Sequence, residues 1–408
     1  MITHRSGYAI ASRAMVVLTL ALGLCVAANA AGRGRDRVLV EPKSPNLIGQ
    51  IAADCGGRVV RSVGDTGFFL VEAEGLDQER MLQWLNADSR VGSAEPSSWV
   101  TIPEIRGDQL AFAFDVGPDP LGYVNQFAYR QVRLGGVHEV ATGRGVVVAV
   151  LDTGVNVNHP DLQGHCVPGY NAINPELPPD DLPSGPGGEV SVLGIPDAGA
   201  GHGTMIAGLI AVVAPEAVIM PVKVLASDGT GTVEDVIEGI LWAVRAGADV
   251  INMSFGSPGS SEAVKRAIKF AQRAGVIVVA SAGNDNNDIP HIPAAYKGVI
   301  SVSSVECDNT KSPYASYGST IDLVAPGTGI RSTYWDGGYA TWSGTSFAAP
   351  FVSGAAALLR ELQPEVSANR IGVILKQTAT PVDEWNPDYA GLLGDGLLHI
   401  RKAVRRAE

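Results

Sequence analysis

From Gly145 onward the chain alternates short runs that are apolar on both faces with amphipathic stretches of helical period, and this pattern most restricts the fold. Val146–Leu151, Val218–Val222, Val250–Asn252 and Val276–Ala280 have no polar face to give to water. Between and after them stand helical stretches such as 233–246 and 262–274. Strands buried on both faces and separated by helices imply a parallel sheet covered on both sides. The expected fold class is therefore α/β, a three-layer doubly wound and mostly parallel sheet. Ligands of such sheets sit at the carboxyl ends of the strands.

Residues 31–105 read differently. Val38–Val40, a helix over 47–53, two strands joined by Gly64-Asp65-Thr66-Gly67, a second helix around Met81–Leu85 and a last strand at 91–94 give the order β-α-β-β-α-β. That order is the ferredoxin-like α+β pattern. Residues 106–125, with Gly107, Gly117, Pro118 and Pro120, read as a linker, and 126–408 as the large domain. Residues 1–30 carry a basic start, an apolar run over 14–27 and Ala28-Asn29-Ala30, the makeup of a secretory signal peptide. Export would remove Cys25 and leave Cys55, Cys166 and Cys307, expected as free thiols, with a Cys166–Cys307 bridge as the alternative. A net charge of −12 excludes a nucleic-acid partner of the usual basic-faced kind, and no repeat or coiled coil suggests anything but a monomer.

The unusual residues fall where the sheet would place a ligand. The first strand of the large domain ends in Asp152-Thr153-Gly154, and Gly201-His202-Gly203-Thr204 opens an apolar helix. Ala280-Ser281-Ala282-Gly283-Asn284 runs from a strand into a turn, and Gly344-Thr345-Ser346 precedes the apolar run 351–362. Singly, each has a structural explanation: a buried acid, a helix-start histidine, a turn asparagine, a serine cap. Together they are the parts of acyl transfer. Ser346 would attack, His202 would move the proton, Asp152 would orient the imidazole, and Asn284 would donate to the oxyanion. Pro350 is expected near the helix start, where a missing N–H costs little.

These motifs, in the order Asp, His, Ser, resemble the subtilisin-type serine proteases. With Val150-Leu151-Asp152-Thr153-Gly154-Val155, Ser254-Phe255-Gly256 and Gly344-Thr345-Ser346-Phe347-Ala348-Ala349-Pro350, the resemblance runs from about Gly145 to the terminal helix. It implies a secreted serine endopeptidase that needs no cofactor for its chemistry and acts on extended polypeptides. It also implies that Ser254, Phe255 and Gly256, with Ala280, Ser281, Ala282 and Gly283, wall the main specificity pocket. Gly229 and Gly231 would then line the opposing edge. The small N-terminal unit resembles the family's propeptide, an intramolecular inhibitor cut away during self-processing between Pro96 and Asn125. Asp285 is either an acid at the pocket mouth, tolerating a basic or polar side chain there, or an exposed loop acid. Met205 and Phe351 stand where many relatives carry histidine. Family members often bind calcium, but Asp180, Asp181, Glu189 and Asp197 show no diagnostic ligand spacing and are expected as solvated acids.

Two other enzyme readings compete. Asp65-Thr66-Gly67 repeats the Asp-Thr-Gly of Asp152 and would make an aspartic protease. Asp395 and His399 follow Ser346 in the order of an α/β-hydrolase. Both leave the upstream His202 and Asn284 motifs unused. The non-enzyme alternative is a secreted, catalytically silent pseudoprotease that binds peptides.

Overall fold

The computed structural model describes residues 36–73, 75–105, 112–184 and 197–408. The signal-peptide reading with Cys25, the middle of the linker with Gly107, and Glu189 lie outside the described residues. Segment 36–96 forms β1 (Arg37–Pro42), α1 (Ile48–Asp54), β2 (Arg58–Val63), β3 (Phe68–Glu72), α2 (Gln78–Ala87) and β4 (Val91–Pro96). Its antiparallel sheet has the order β2-β3-β1-β4, the ferredoxin-like arrangement. One face buries Val38, Val40, Ile51, Val71, Met81 and Leu85 under the two helices. Alternate residues of the same strands, Leu39, Val63, Phe68 and Leu70, belong instead to the core of the rest of the molecule. The period-2 alternation thus gives this sheet two apolar faces, and the second is covered by helices of the large unit.

After β4 come β5 (Trp99–Thr101) and β6 (Phe114–Gly117). The large unit is built on β7 (Val147–Asp152), β8 (Tyr170–Asn171), α3 (His202–Val213), β9 (Val218–Lys223), β10 (Thr230–Thr232) and α4 (Val233–Arg245). It continues through β11 (Val250–Met253), β12 (Ser257–Pro258), α5 (Glu262–Arg273), β13 (Ile277–Ser281), β14 (His291–Ile292), β15 (Val299–Val305) and β16 (Leu323–Pro326). Two further strands, Ile330–Thr333 and Tyr339–Trp342, precede the long helix α6 (Thr345–Leu362).

The central sheet has the order β16-β15-β13-β11-β7-β9-β8, and every pairing in it is parallel. Helices α3 and α6 pack on one another, α4 and α5 do likewise, and both pairs flank the sheet. The residues of β11, β13 and β15 are all buried, which accounts for their lack of any charged side chain. From β7 the chain goes first to β9 on one side and then to β11 on the other. The carboxyl end of β7, where Asp152 stands, is therefore the point at which strand order reverses.

The small unit docks on the α4–α5 layer through paired charges. Arg61 reaches Glu238 at 3.0 Å and Asp235 at 3.3 Å, and Arg266 holds Glu41 at 2.7 Å while lying over the Phe68 ring. Glu95 accepts the Ser261 hydroxyl at 2.6 Å and the Glu262 N–H at 2.8 Å, so it caps the amino end of α5. Cys55, Cys166 and Cys307 are all free, in line with the unpaired reading.

Candidate active site

Three segments meet at the carboxyl edge of the sheet. Asp152 closes β7, His202 opens α3, and Ser346 is the second residue of α6. All three are fully buried. His202 Nδ1 donates to Asp152 Oδ1 at 2.7 Å, and the same oxygen accepts the Thr153 N–H at 2.8 Å. Trp342 and Phe347 set their rings edge-on to the imidazole, with centroids 5.6 and 5.5 Å away. Gly203 is required here, since a Cβ would fall 2.1 Å from the Gly154 carbonyl oxygen and 3.0 Å from the Asp152 Cβ. Met205 and Phe351 are buried in apolar surroundings.

The start of α6 differs from expectation in one respect. The helix begins at Thr345, so Pro350 lies inside it and removes the N–H that would bond the Ser346 carbonyl. The Ser254 hydroxyl takes that place, donating to Ser346 O at 2.9 Å. The proline thus ties the start of the helix to the 254–256 segment. Asn284 is fixed from below, with its side-chain oxygen accepting the Thr345 N–H at 3.0 Å and the Thr345 hydroxyl at 2.9 Å. Its amide is left pointing at the serine.

That space is filled by the chain itself. β5 pairs antiparallel with β10, Val100 opposite Gly231, and the Ile102 N–H donates to Gly229 O at 3.0 Å. On the other side Thr101 and Gly256 exchange backbone bonds of 3.2 and 3.0 Å. Residues 99–102 therefore form the middle strand of a three-stranded ladder whose outer edges are 229–232 and 256. The chain then turns at Pro103–Ile105, and the buried Glu104 carboxylate enters the site. Asn284 Nδ2 donates to Glu104 Oε1 at 3.3 Å, Ser346 Oγ lies 3.0 Å from Oε2, and His202 Nε2 lies 3.4 Å from the same oxygen.

One carboxylate thus stands where the negative oxygen of a tetrahedral intermediate would accept. Ser346 Oγ is also 3.0 Å from the Ser254 carbonyl, and among the described residues His202 Nε2 has no hydrogen-bond partner. Burial alone lowers the imidazole pKa, but Asp152 and then Glu104 outweigh it and hold His202 up to about 10. A histidine so protonated cannot accept a proton from serine at neutral pH.

The loop acids do not behave as expected. Asp181 is buried and accepts the Thr153 hydroxyl (2.9 Å), the Gly201 N–H (2.9 Å), the Thr204 N–H (2.9 Å) and the Thr204 hydroxyl (2.7 Å). Burial raises its pKa, while those donors and Lys223 oppose the rise. It is a brace between the β7 terminus and the α3 start, not a solvated acid. Asp197 bonds the Ser184 N–H at 2.8 Å and hydroxyl at 2.6 Å. With four protein donors on its two oxygens, Asp181 does not fit a cation site, and among the described residues no cluster of three candidate ligands occurs.

Asp285 is paired with His291 Nε2 at 2.9 Å instead of standing free at a pocket mouth. Of the expected wall residues, Phe255 is fully buried, Ala280 and Ser281 complete β13, and the Ala282 N–H donates to Val302 O at 2.9 Å. Gly283 donates its N–H to the Thr345 hydroxyl at 3.2 Å. Asp65 stays on an exposed turn, paired with Arg245 at 2.5 Å, and His399 caps the terminal helix 400–407. Neither belongs to the site. Glu104 and His291 escape the sequence reading, and Asp181 is read there only as a solvated loop acid. The signal for Glu104 was a lone acid between Pro103 and Ile105 just after a strand.

A subtilase-family model matches residues 143–395. Thermitase of Thermoactinomyces vulgaris is 37% identical over 287 residues, 70% of this chain and 98% of its own. Subtilisin Savinase of Lederbergia lenta is 38% identical over 275 residues, 65% of this chain and 92% of its own. Among solved structures, fervidolysin from Fervidobacterium pennivorans, a keratinolytic enzyme related to subtilisin, superposes with a TM-score of 0.73 at 26% identity. That match covers 91% of this chain and 61% of the longer fervidolysin chain. A protease of Pseudoalteromonas arctica gives a TM-score of 0.61 at 33% identity, over 71% of this chain and 99% of its own. The chain belongs to the subtilase family of serine endopeptidases.

Proposed function

We propose that this chain is an exported serine endopeptidase made as a self-inhibited precursor, with Asp152, His202 and Ser346 as its triad. The observation that carries this reading is the strand 99–102, held on both sides by backbone bonds beside Ser346, as an extended polypeptide substrate would be. In catalysis a substrate replaces that strand, and its scissile carbonyl takes the position of the Glu104 carboxylate. Ser346 Oγ attacks the carbonyl carbon while His202 Nε2 takes the hydroxyl proton. Asp152 holds the Nδ1–H and stabilises the imidazolium. Asn284 Nδ2 donates to the oxyanion, and His202 returns the proton to the leaving amine. Water then repeats the sequence on the acyl-enzyme. Once Glu104 leaves, every proton moves between side chains of the chain, substrate and water, so the chemistry needs no cofactor.

Residues 36–105 act as the intramolecular inhibitor in this reading, with Gly229, Gly231 and Gly256 holding its last strand. Partners are unfolded or extended polypeptides and the chain's own N-terminal unit; the acidic net charge suits neither nucleic acid nor an anionic membrane surface. Purified wild-type precursor is expected to cut itself between Pro96 and Asn125, and Ser346→Ala to remain intact. The same processed N-terminus in both proteins would refute self-cleavage. Fluorophosphonate labelling of the processed protein separates an enzyme from a silent peptide binder.

A further inference from the structure

Strands β11 and β13 are parallel neighbours, with Met253 opposite Ala280, and beyond those residues the two chains continue past the sheet edge as 254–256 and 281–284. The crevice beside Ser346 and the Asn284 amide lies between these continuations. His291, on β14 antiparallel to β12, touches both walls: a Cβ on Gly283 would fall 2.6 Å from its Nδ1, and a Cβ on Gly256 would lie 3.7 Å from its Cβ. A Cβ on Gly256 would also meet the Ile292 carbonyl oxygen at 2.7 Å. Both walls are thus stripped to glycine where the histidine packs. The ring is buried and fixed from behind by Asp285 Oδ2, 2.9 Å from Nε2, while the Ser316 hydroxyl accepts the Asp285 N–H at 3.3 Å.

We propose that His291, held by Asp285, is the floor of the pocket for the side chain on the acyl side of the scissile bond, and that it limits this enzyme to small uncharged residues there. This rests on the serine-endopeptidase reading above. A short side chain fits above the imidazole. A phenylalanine, tyrosine or leucine must displace it, which breaks its ion pair with Asp285 Oδ2.

The test compares succinyl-Ala-Ala-Pro-X p-nitroanilides, X being Ala or Phe, on processed enzyme counted by fluorophosphonate titration. Wild type is expected to show a kcat/KM for Ala at least about tenfold above that for Phe, since single-methylene differences already give ~10–200-fold. His291→Gly with Asp285→Ser should raise the Phe-to-Ala ratio by at least about 30-fold. His291→Gln, which keeps bulk and a bond to Asp285, should leave it near wild type. A wild-type preference for Phe overturns the proposal without any variant, as does an unchanged ratio in a double variant that titrates fully. Failure of wild type to titrate at all overturns the endopeptidase reading itself and the proposal with it.

Discussion

The Glu104 carboxylate should be the strongest single contact holding the small unit in the cleft, and its removal can be measured without any self-cutting. In a Ser346→Ala background the carboxylate keeps the Asn284 amide at 3.3 Å and the His202 imidazole at 3.4 Å. A charge-assisted hydrogen bond contributes about 1.5–3 kcal/mol. The ion pair adds to this, but water entering the space left by Glu104→Ala recovers part, so the net loss is about 2–3 kcal/mol. At 1.4 kcal/mol per decade, opening of the strand becomes ~30–150-fold more frequent. Hydrogen exchange reads this directly at the Thr101 and Ile102 amides, which donate to Gly256 and Gly229.

The pH dependence has a definite sign. His202 is raised from its ordinary 6.5 to about 10 in the docked state, burial opposing and Asp152 and Glu104 driving the rise. The docked state therefore binds the proton more tightly than the open one. The share of docking stability that Glu104 supplies through His202 is fully present below the open-state pKa. It is lost as pH rises through about 10. Protection at Thr101 and Ile102 should fall more steeply over that range in the Glu104 protein than in Glu104→Ala. Equal protection in the two proteins at neutral pH, within threefold, would refute the latch.

Two further outcomes are expected. Asn284→Ala should lower kcat of the processed enzyme by ~10²–10³ with little change in KM, the loss known for the corresponding asparagine of subtilisin itself. Asp181→Ala leaves four buried donors unpaired and should destabilise the β7–α3 junction by about 3–5 kcal/mol. That loss is checked by denaturant unfolding of the Ser346→Ala full chain, and Asp181→Asn should cost less because it keeps two of the four acceptor bonds.

What the sequence made legible follows from how locally each feature is encoded. Asp152, His202 and Ser346 each sit at a strand end or helix start and Asn284 just past a strand, all within two residues of a glycine, so motif and placement coincide. The ferredoxin-like order was readable for the same reason, from strand alternation and the Gly64–Gly67 turn. Glu104, Asp181 and His291 were not, because the partners that give each its place stand outside its own local stretch. Glu104 meets Asn284 and Ser346 across 180 and 242 positions. Asp181 reads as a loop acid until Thr153, Gly201 and Thr204 are seen to converge on it.

Pro350 shows the same limit from the other side. Proline at the helix start, where its missing N–H would cost little, is the local expectation, but Pro350 lies inside the helix and its effect depends on which distant hydroxyl replaces the lost N–H. That hydroxyl belongs to Ser254, whose own carbonyl lies 3.0 Å from Ser346 Oγ. That carbonyl and the Glu104 carboxylate both accept from Ser346 Oγ, so the hydroxyl is committed to them while Glu104 is docked. Release of Glu104 removes one of the two acceptors, and on this geometry it is the step that lets the serine turn to its base.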